Sequence, residues 1–376
     1  MKVALVHEWV AQWGGSESVL RELADLFPSA PIYLGAWIPD ATGRSAFPGS
    51  RVRTSSLQRL LPLVGGNHRR LLPFMPGAFR ALELEGYDLV ISSSHAFAKA
   101  VRPSGSAAHL CYCHTPPRYL WDLWDTYSPG WRGWMGRPLR TLLRRADLRA
   151  AGGVDRFIAN SRTVADRIER HYRRSAEVLH PPVHTRRFEA AARLRRAKGR
   201  GPEPWFLAGG RLVAYKRTEL LVRAATRARM PLKVFGEGPE WARVQAAAGP
   251  TVAFLGRVSD DELPHLMAAC QAYLFGAEED FGILPVEAQA AGRPVVAYGK
   301  GGATETVRDG ETGILVAEAT EEAFAQALVD VRSRSWDPAR IQAHARRFDA
   351  ERFRTGMRML AERAVGGGGA HPGGLP

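Results

Sequence analysis

Short apolar runs alternate with longer segments of helical periodicity along most of the chain. In the longer segments, such as residues 17–27 and 163–173, apolar residues recur every three or four positions, which is typical of helices with one buried face. The apolar runs predict strands at residues 2–9, 88–94, 107–114, 156–160 and 177–180, and then at 205–209, 232–235, 252–255, 272–275, 294–297 and 313–316. This alternation predicts an α/β protein with parallel, doubly wound sheets.

The alternation breaks near the middle of the chain. The pattern is lost around residues 181–188, and residues 193–204 are polar and basic before a new series of strands opens at Trp205. A chain of 376 residues is also long for one hydrophobic core. We therefore expect two domains, residues 1–185 and 200–348. The glycine-rich tail, residues 365–376, buries too little apolar surface to order itself and is predicted to be disordered.

The composition, 45% hydrophobic and 24% charged, is that of an ordinary soluble globular protein. No stretch is long and apolar enough to cross a bilayer, and the first residues lack a signal-peptide pattern, so we expect a cytoplasmic protein. Three cysteines are too few for a disulfide framework. Cys111 and Cys113 precede His114, but no fourth ligand follows at zinc-like spacing. We expect buried, reduced thiols and no metal site.

The formal net charge of +14 is compatible with nucleic acid, anionic lipid or a phosphorylated substrate as a partner. No helix-turn-helix, zinc-finger or RNA-binding aromatic motif is present in the sequence, so we expect no nucleic acid partner. An arginine-rich composition can also reflect a genome of high GC content, in which case the charge has no partner at all.

Two glutamates eight residues apart, Glu279 and Glu287, frame a glycine-containing loop that runs into a predicted helix. Pro285 and the alanine-rich run behind it indicate the start of that helix. The backbone N–H groups of such a loop can bind an anion, helped by the helix dipole. The two carboxylates can accept hydrogen bonds from the hydroxyls of a sugar and of a ribose. The alternative is an acidic loop that caps an ordinary core helix.

A pair of cations follows the first predicted strand of the second domain. Arg211 and Lys216 lie five residues apart, directly after Gly209 and Gly210. From the loop after a strand both cations can reach one anion, which suits a diphosphate. The alternative is a pair of solvated loop charges in a basic protein.

The first domain carries two weaker indications. Gly14 and Gly15 follow the first predicted strand, where glycine lets the backbone approach a phosphate or sugar closely, and Ser16 is a candidate helix cap. Turns between strands and helices often contain glycine for purely structural reasons. His114 ends an apolar strand, and ligands gather at the carboxyl ends of strands in open α/β sheets. A lone histidine there is more often only a polar end to the strand.

Taken together, these elements resemble the retaining GT-B glycosyltransferases of glycosyltransferase family 4. The stretch that begins at Glu279 follows the family pattern E-x-F-G-x-x-x-x-E-A-x-A-x-G-x-P-V, and the match continues through Gly301-Gly302 and Asp309-Gly310. The run from His114 to Asp122 is similar to that of bacterial mannosyl- and related glycosyltransferases that build surface polysaccharides.

The resemblance implies a GT-B fold, with two Rossmann-like domains facing a cleft and a last helix, residues 349–364, that crosses back to the first domain. It implies that the cations neutralise the donor diphosphate and that a histidine lies beside the reacting sugar. The catalytic residues expected on this basis are His114, Arg211, Lys216 and Glu279. The expected donor-binding residues are Gly14, Gly15, Gly236, Arg257, Val258, Phe281, Gly282, Ile283 and Glu287.

The resemblance implies that the protein transfers a hexose onto a lipid-linked or free glycan and retains the configuration of the donor sugar. The hexose it implies most strongly is mannose, from GDP-mannose. The resemblance implies no cofactor and no metal, and the sequence has no Asp-x-Asp pair to hold one. A UDP-hexose donor and a GT-B isomerase acting on a nucleotide sugar are alternatives. A non-enzymatic basic scaffold would explain the charge but not the set formed by the two glutamates and two cations.

Two regions of the first domain mix apolar and cationic side chains. Residues 57–81 carry leucines, Phe74 and Met75 among the cationic or basic residues Arg59, His68, Arg69, Arg70 and Arg80. Further along the chain, tryptophans at 121, 124, 131 and 134 are followed by Arg137, Arg140, Arg144 and Arg145. Apolar groups beside cations suit the surface of an anionic membrane, so the inner face of the plasma membrane is a candidate partner. The alternative is a helical core whose arginines face water. In either case we expect the acceptor site in the first domain.

Overall fold

The computed structural model describes residues 1–11, 13–47, 49–122, 124 and 136–366. The chain folds into two compact units. The first comprises Met1–His180 together with the chain from Phe353 onward, and the second comprises Pro181–Arg352. Among the residues described, no helix has both the length and the apolar character that a bilayer crossing requires.

The first unit is built on a seven-stranded sheet in which every pairing is parallel. Its strands are β1 Val3–Val10, β2 Ile32–Trp37, β3 Val52–Thr54, β4 Leu89–Ser94, β5 Ala108–Cys113, β6 Arg156–Ala159 and β7 Ala176–Val178. They lie in the order β3-β2-β1-β4-β5-β6-β7. Their carboxyl ends therefore meet at one edge of the sheet, and that edge carries the polar residues discussed below.

Helices cover both faces of this sheet. They are α1 Gly15–Leu26, α2 Ala41–Ala46, α3 Leu57–Leu60, α4 Met75–Arg80, α5 Arg137–Gly152 and α6 Arg162–Tyr172. Because successive side chains of a strand point to opposite faces, Val3 and Leu5 join one buried cluster and Ala4 and Val6 join another. This two-sided burial explains why the inner strands read as nearly continuous apolar runs.

The second unit repeats the architecture with six parallel strands. These are β8 Phe206–Gly209, β9 Leu232–Phe235, β10 Val252–Gly256, β11 Tyr273–Phe275, β12 Val295–Tyr298 and β13 Gly313–Val316, in the order β10-β9-β8-β11-β12-β13. The helices are α7 Thr185–Ala197, α8 Thr218–Arg227, α9 Trp241–Ala246, α10 Glu262–Ala269, α11 Ile283–Ala290, α12 Ala303–Thr306, α13 Glu321–Ser333 and α14 Pro338–Ala345.

The last helix, α15, spans Ala350–Gly366. From Phe353 onward it belongs to the first unit, where Phe353, Met357 and Leu360 are buried in the same cluster as Leu5. Arg363 of this helix also donates to Glu177 at 3.0 Å. The domain limits expected from the sequence stay predictions, and residues 367–376 of the expected disordered tail lie outside the described residues.

The predicted fold class is confirmed, and each predicted strand is present with its ends displaced by at most two residues. Two strands of the first unit were not predicted. The strand β2 contains Gly35, whose missing Cβ would lie 2.5 Å from the carbonyl oxygen of Glu8 and 2.9 Å from the ring of Phe79. Close packing there requires glycine, a residue that weakens the sequence signal for a strand. The edge strand β3 is three residues long and mostly exposed, so it has no apolar run.

Candidate functional site

The loop that carries Glu279 lies at the carboxyl edge of the six-stranded sheet, between β11 and α11. Its last residue, Gly282, has a φ of +89° as it enters the helix, a conformation that favours glycine. The backbone of Gly302 packs so closely on that of Phe281 that a Cβ would not fit, and its N–H donates to the carbonyl oxygen of Glu279 at 2.8 Å. The two motifs predicted from the sequence thus hold one loop in place.

Lys216 and Glu279 form an ion pair in this site. The lysine lies in a 3₁₀ turn after β8, and its Nζ is 3.1 Å from Oε1 of Glu279, with both side chains about one-fifth exposed. Burial alone would lower the pKa of Lys216, but the Glu279 carboxylate raises it above its usual value. Lys216 is therefore a permanent cation at this edge of the sheet.

Arg211 adds a second positive charge to the same place. Its side chain is exposed, and its charge opposes the rise in the pKa of Lys216, as a cation nearby must. A Cβ on Gly210 would lie 3.5 Å from the Nζ of Lys216, so the lysine ammonium lies over bare backbone. Two cations beside exposed backbone form a surface suited to a diphosphate.

Glycines form the floor of this edge. The N–H of Gly236, after β9, donates to the carbonyl oxygen of Gly256 at 2.7 Å. A Cβ on Gly236 would collide with the backbone of Gly210, and the φ angles of the two glycines are +102° and +109°. Arg257, exposed, and Val258, half-buried, follow β10 at the same edge. The glycines keep the strand ends close and leave their backbone groups free of side-chain cover.

Glu287 lies in the second turn of α11 and is buried. Burial raises its pKa to about 7, with Asp260 raising it further and the positive charge of Arg187 opposing the rise. Nη2 of Arg187 is 3.6 Å from Oε1 of Glu287. Arg187 was not predicted as a site residue. The signal that could have indicated it is the pair Arg186-Arg187, which lies within the break in the pattern near the start of the second unit.

In the first unit, the glycine pair lies where β1 leads into α1. Gly14 is the N-cap of that helix and has extended backbone, and no side chain of the described residues caps it. The expectation that Ser16 caps the helix is therefore wrong, because Ser16 lies inside the first turn and its hydroxyl donates to Oε2 of Glu17 at 2.9 Å. Glu17 itself is buried.

His114 directly follows β5 and is half-buried. Its Nε2 lies 2.8 Å from the hydroxyl of Ser93, a residue of the adjacent strand β4. Burial, reinforced by the charges of His95 and His7, lowers its pKa to about 3. His114 is therefore neutral at physiological pH, and it can act on a ligand through a hydrogen bond but not as a cation.

A buried polar cluster around His114 was not predicted from the sequence. Oε1 of Glu8 accepts hydrogen bonds from the Ser94 hydroxyl and from the N–H groups of His95, Ala96 and Ala98, at 2.8–3.1 Å. Burial would raise the pKa of Glu8, but the histidines and these donors lower it to about 2. The only sequence signal is the His7-Glu8 pair within the otherwise apolar run of β1.

The predicted residues thus fall into two sets. Arg211, Lys216, Gly236, Arg257, Val258, Glu279, Phe281, Gly282, Ile283 and Glu287 lie in the second unit, whereas Gly14, Gly15 and His114 lie in the first. The three cysteines are free and buried. In the described part of the chain no group of three or more His, Cys, Asp or Glu side chains could hold a metal ion. Trp131 and Trp134 of the predicted membrane-facing region lie outside the described residues.

Comparison with protein families gives two matches. The model described as Glycosyltransferase Family 4 matches residues 13–187, and the one described as Glycosyl transferases group 1 matches residues 203–333. Together they cover most of both units.

Two relatives show what the chain is similar to. It is 36% identical over 236 residues to a GDP-mannose-dependent alpha-(1-6)-phosphatidylinositol monomannoside mannosyltransferase of Mycolicibacterium smegmatis, a match covering 56% of this chain and 60% of the relative. It is 31% identical over 219 residues to a D-inositol 3-phosphate glycosyltransferase of Streptomyces scabiei, covering 51% of this chain and 49% of the relative. The matches thus span about half, or somewhat more, of each relative's length.

Solved structures share the fold over nearly the whole chain. The crystal structure of Anabaena HepE in complex with UDP and glucose has a TM-score of 0.68 at 19% identity, covering 96% of this chain and 99% of that one. The sucrose-phosphate synthase of Thermosynechococcus elongatus has a TM-score of 0.70 at 18% identity, covering 98% and 100%. At these identities the likeness establishes the fold and not the substrate.

Proposed function

Because the chain belongs to the family 4 glycosyltransferases and has their GT-B fold, we propose that it is a retaining hexosyltransferase that uses a nucleotide-sugar donor. The observation that carries this proposal is the set of groups at the carboxyl edge of the six-stranded sheet. There Lys216 and Glu279 form an ion pair beside bare glycine backbone, and Glu287 lies in the helix that follows the loop. Each can recognise a different part of such a donor.

The cations hold the diphosphate. Lys216 is a cation whose pKa the Glu279 carboxylate raises, and Arg211 adds charge at the same edge. When the bond between sugar and phosphate breaks, negative charge accumulates on the leaving nucleoside diphosphate. Preorganised cations stabilise that charge more in the transition state than in the ground state, and this lowers the barrier. The reaction then needs neither a metal ion nor a cofactor.

The two glutamates hold the two ends of the donor. Glu279 lies in the loop next to the lysine and accepts hydrogen bonds from hydroxyls of the transferred sugar. Glu287, one helical turn into α11, accepts them from the ribose. The backbone of Phe281, Gly282 and Ile283 faces the phosphate end at the start of α11, and the strand-end residues Gly236, Arg257 and Val258 line the nucleotide pocket.

In the first unit, His114 hydrogen-bonds to the sugar as a neutral imidazole, and Gly14 and Gly15 let backbone approach the donor. No covalent glycosyl-enzyme is formed. The acceptor hydroxyl attacks on the face that the leaving group vacates and passes its proton to the leaving phosphate. The protein contributes orientation and electrostatic stabilisation.

We favour GDP-mannose as the donor. Two observations support this choice: the run from His114 to Asp122, and the mannosyltransferase relative whose name specifies GDP-mannose. A UDP-hexose is the second candidate, supported by the structural likeness to a protein that binds UDP and glucose.

The proposed acceptor is a lipid-linked or free glycan bound by the first unit. On that unit Leu63 is 81% exposed and Phe74 is 60% exposed, near Arg69 and Arg70 in the sequence. Exposed apolar side chains beside cations suit an anionic lipid surface. Peripheral docking on the inner face of the membrane would bring the enzyme to a polyprenyl-linked glycan or to an acceptor of the phosphatidylinositol mannoside type.

The test is a transfer assay with radiolabelled GDP-mannose and UDP-glucose, using polyprenyl-linked glycan and phosphatidylinositol mannoside as acceptors. We expect transfer from GDP-mannose, with the α-configuration of the donor kept in the product by NMR. Transfer from UDP-glucose alone would replace the donor, and an inverted product would contradict the mechanism. Donor conversion to another sugar nucleotide without acceptor would replace transferase activity with isomerisation.

A further inference from the structure

Three histidines from different parts of the chain meet beside the carboxyl edge of the seven-stranded sheet. The ring centroids of His7 and His95 lie 6.4 and 6.2 Å from that of His114. His7 and His114 are joined through one residue, Ser93 of β4, which is fully buried. Nδ1 of His7 lies 2.9 Å from the carbonyl oxygen and 3.2 Å from the hydroxyl of Ser93, and Nε2 of His114 lies 2.8 Å from the same hydroxyl.

The direction of these hydrogen bonds follows from what each atom can do. A carbonyl oxygen only accepts, so Nδ1 of His7 carries a hydrogen. That nitrogen cannot then accept from the Ser93 hydroxyl. Among the contacts of the described residues, the acceptor left for the hydroxyl hydrogen is Nε2 of His114. A neutral imidazole with an accepting Nε2 carries its hydrogen on Nδ1.

We propose that His7 and Ser93 are positioning residues that fix His114 as the Nδ1–H tautomer, so that it meets the donor sugar as a hydrogen-bond donor. The use of that hydrogen on a sugar oxygen rests on the proposed function. The tautomer itself is a property of this chain alone. In water, free histidine prefers the Nε2–H tautomer, so an Nδ1–H tautomer at His114 would show that the protein environment selects it.

His7 is held in turn by two buried glutamates. Its Nε2 lies 4.0 Å from Oε1 of Glu17, and its Nδ1 lies 3.8 Å from Oε2 of Glu8. Burial would lower the pKa of His7, but these carboxylates and the Ser93 carbonyl raise it above the usual value. Hydrogens on its ring nitrogens are favoured by this environment, which agrees with the direction derived above.

The same contacts link the two motifs of the first unit. Glu17 closes the sequence Gly14-Gly15-Ser16-Glu17, and it is connected through His7 and Ser93 to His114. The glycine motif therefore does more than let backbone approach a ligand: its glutamate is the first member of a hydrogen-bonded and charged chain that ends at the histidine. The low pKa of His114 keeps that end of the chain uncharged.

The ring ¹⁵N shifts of His114 test the proposal, measured by NMR on the full chain labelled with ¹⁵N-histidine. The spectrum of His114→Gln assigns the signals. We expect Nε2 of His114 to resonate as a nitrogen without hydrogen and Nδ1 as one with hydrogen. In Ser93→Ala we expect the signals to shift toward the opposite tautomer. The matched control is Ser92→Ala, which removes an equally buried serine–histidine hydrogen bond, from Ser92 to His109 at 2.8 Å, and should leave the His114 signals unchanged.

Wild-type His114 with its hydrogen on Nε2 would overturn the proposal, and so would an unchanged tautomer in Ser93→Ala. In the transfer assay we expect Ser93→Ala to lower kcat/KM roughly three- to tenfold, as for loss of one hydrogen bond, and Ser92→Ala to leave it near the wild-type value. If the tautomer is as proposed but the wild type transfers no hexose from any donor, the proposed function fails and the positioning chain stands.

Discussion

Glu8 of the first unit and Glu287 of the second are both buried carboxylates at the carboxyl edge of a parallel sheet, yet their acidities move in opposite directions. The pKa of Glu8 falls to about 2, whereas burial raises that of Glu287 to about 7. Four hydrogen bonds converge on one oxygen of Glu8. Glu287 faces one guanidinium at 3.6 Å.

The difference lies in how far neighbouring groups offset the burial of each carboxylate. Hydrogen-bond donors repay the desolvation of Glu8, so its charge stabilises the fold. The desolvation of Glu287 is only partly offset, so its charge carries a free-energy cost in the folded state. Under the proposed function, the hydroxyls of a ribose would donate further hydrogen bonds to Glu287.

The largest effect is expected at the cation of the second unit. We expect Lys216→Ala to lower kcat on the order of 10²–10³-fold, as for removal of one preorganised electrostatic contact at a developing negative charge. Steady-state transfer kinetics measure it. The control is Lys198→Ala, an exposed lysine at the end of α7. A folded Lys216→Ala enzyme with near-normal turnover would remove this lysine from the site.

The two buried glutamates should respond oppositely to neutralisation. We expect Glu8→Gln to lower the free energy of unfolding by about 2 kcal/mol at pH 7, because a charged acceptor of several hydrogen bonds is lost. Its depressed pKa means that this contribution is present above about pH 4.5 and is lost as the pH falls toward 2. Denaturant unfolding followed by circular dichroism measures it.

For Glu287 the raised pKa reverses the direction in which the free energy of unfolding changes with pH. The protonated form stabilises the fold fully below about pH 4.5, and this contribution is lost as the pH rises through about 7. We expect Glu287→Gln to match the wild type near pH 4 and to be more stable at pH 8, by on the order of 2 kcal/mol. Equal pH dependence of the two proteins between pH 5 and 8 would contradict the comparison.

The same glutamate should distinguish the two ends of the donor. We expect Glu287→Gln to weaken binding of the bare nucleoside diphosphate about tenfold, the loss of one hydrogen bond to a charged acceptor. Glu279→Gln should weaken the sugar-bearing donor and leave the bare nucleotide nearly unchanged. Calorimetric titration of the bare nucleoside diphosphate and of the sugar-bearing donor into each variant measures these two effects. Equal losses of bare-nucleotide affinity in the two variants would refute the division of roles.

The smallest effect concerns the exposed surface of the first unit. Arginines near an anionic membrane contribute about 1 kcal/mol each, so replacing Arg69, Arg70 and Arg80 together by glutamine should loosen binding to anionic vesicles. Added salt should do the same, because it screens charges beyond roughly 10 Å. Donor binding, which we propose to depend on the second unit, should not change. A wild type that ignores anionic vesicles at low salt would favour a soluble acceptor.

Glu8 and Glu287 also differ in how well the sequence alone could identify them. Glu279, Glu287 and Lys216 were predicted because their motifs are contiguous, and glycines at tight turns mark them in the sequence. The sequence did not predict Glu8, His7 and Arg187, because their partners are distant in the sequence, as Ala98 is from Glu8. Such pairs exist only once the strands are ordered in space. The fold was predicted almost whole, since apolar runs record burial, and the missed strands β2 and β3 are those whose burial or length departs from that pattern.

A calorimetric titration of GDP and UDP into the wild type and into Lys216→Ala tests the diphosphate site itself. We expect that a nucleoside diphosphate, GDP in preference to UDP, binds the wild type and that loss of the lysine weakens this binding at least about tenfold. Tight binding of UDP with none of GDP would overturn the proposed donor. Binding of neither, or equal binding by the two proteins, would contradict a diphosphate site at the edge of the second sheet.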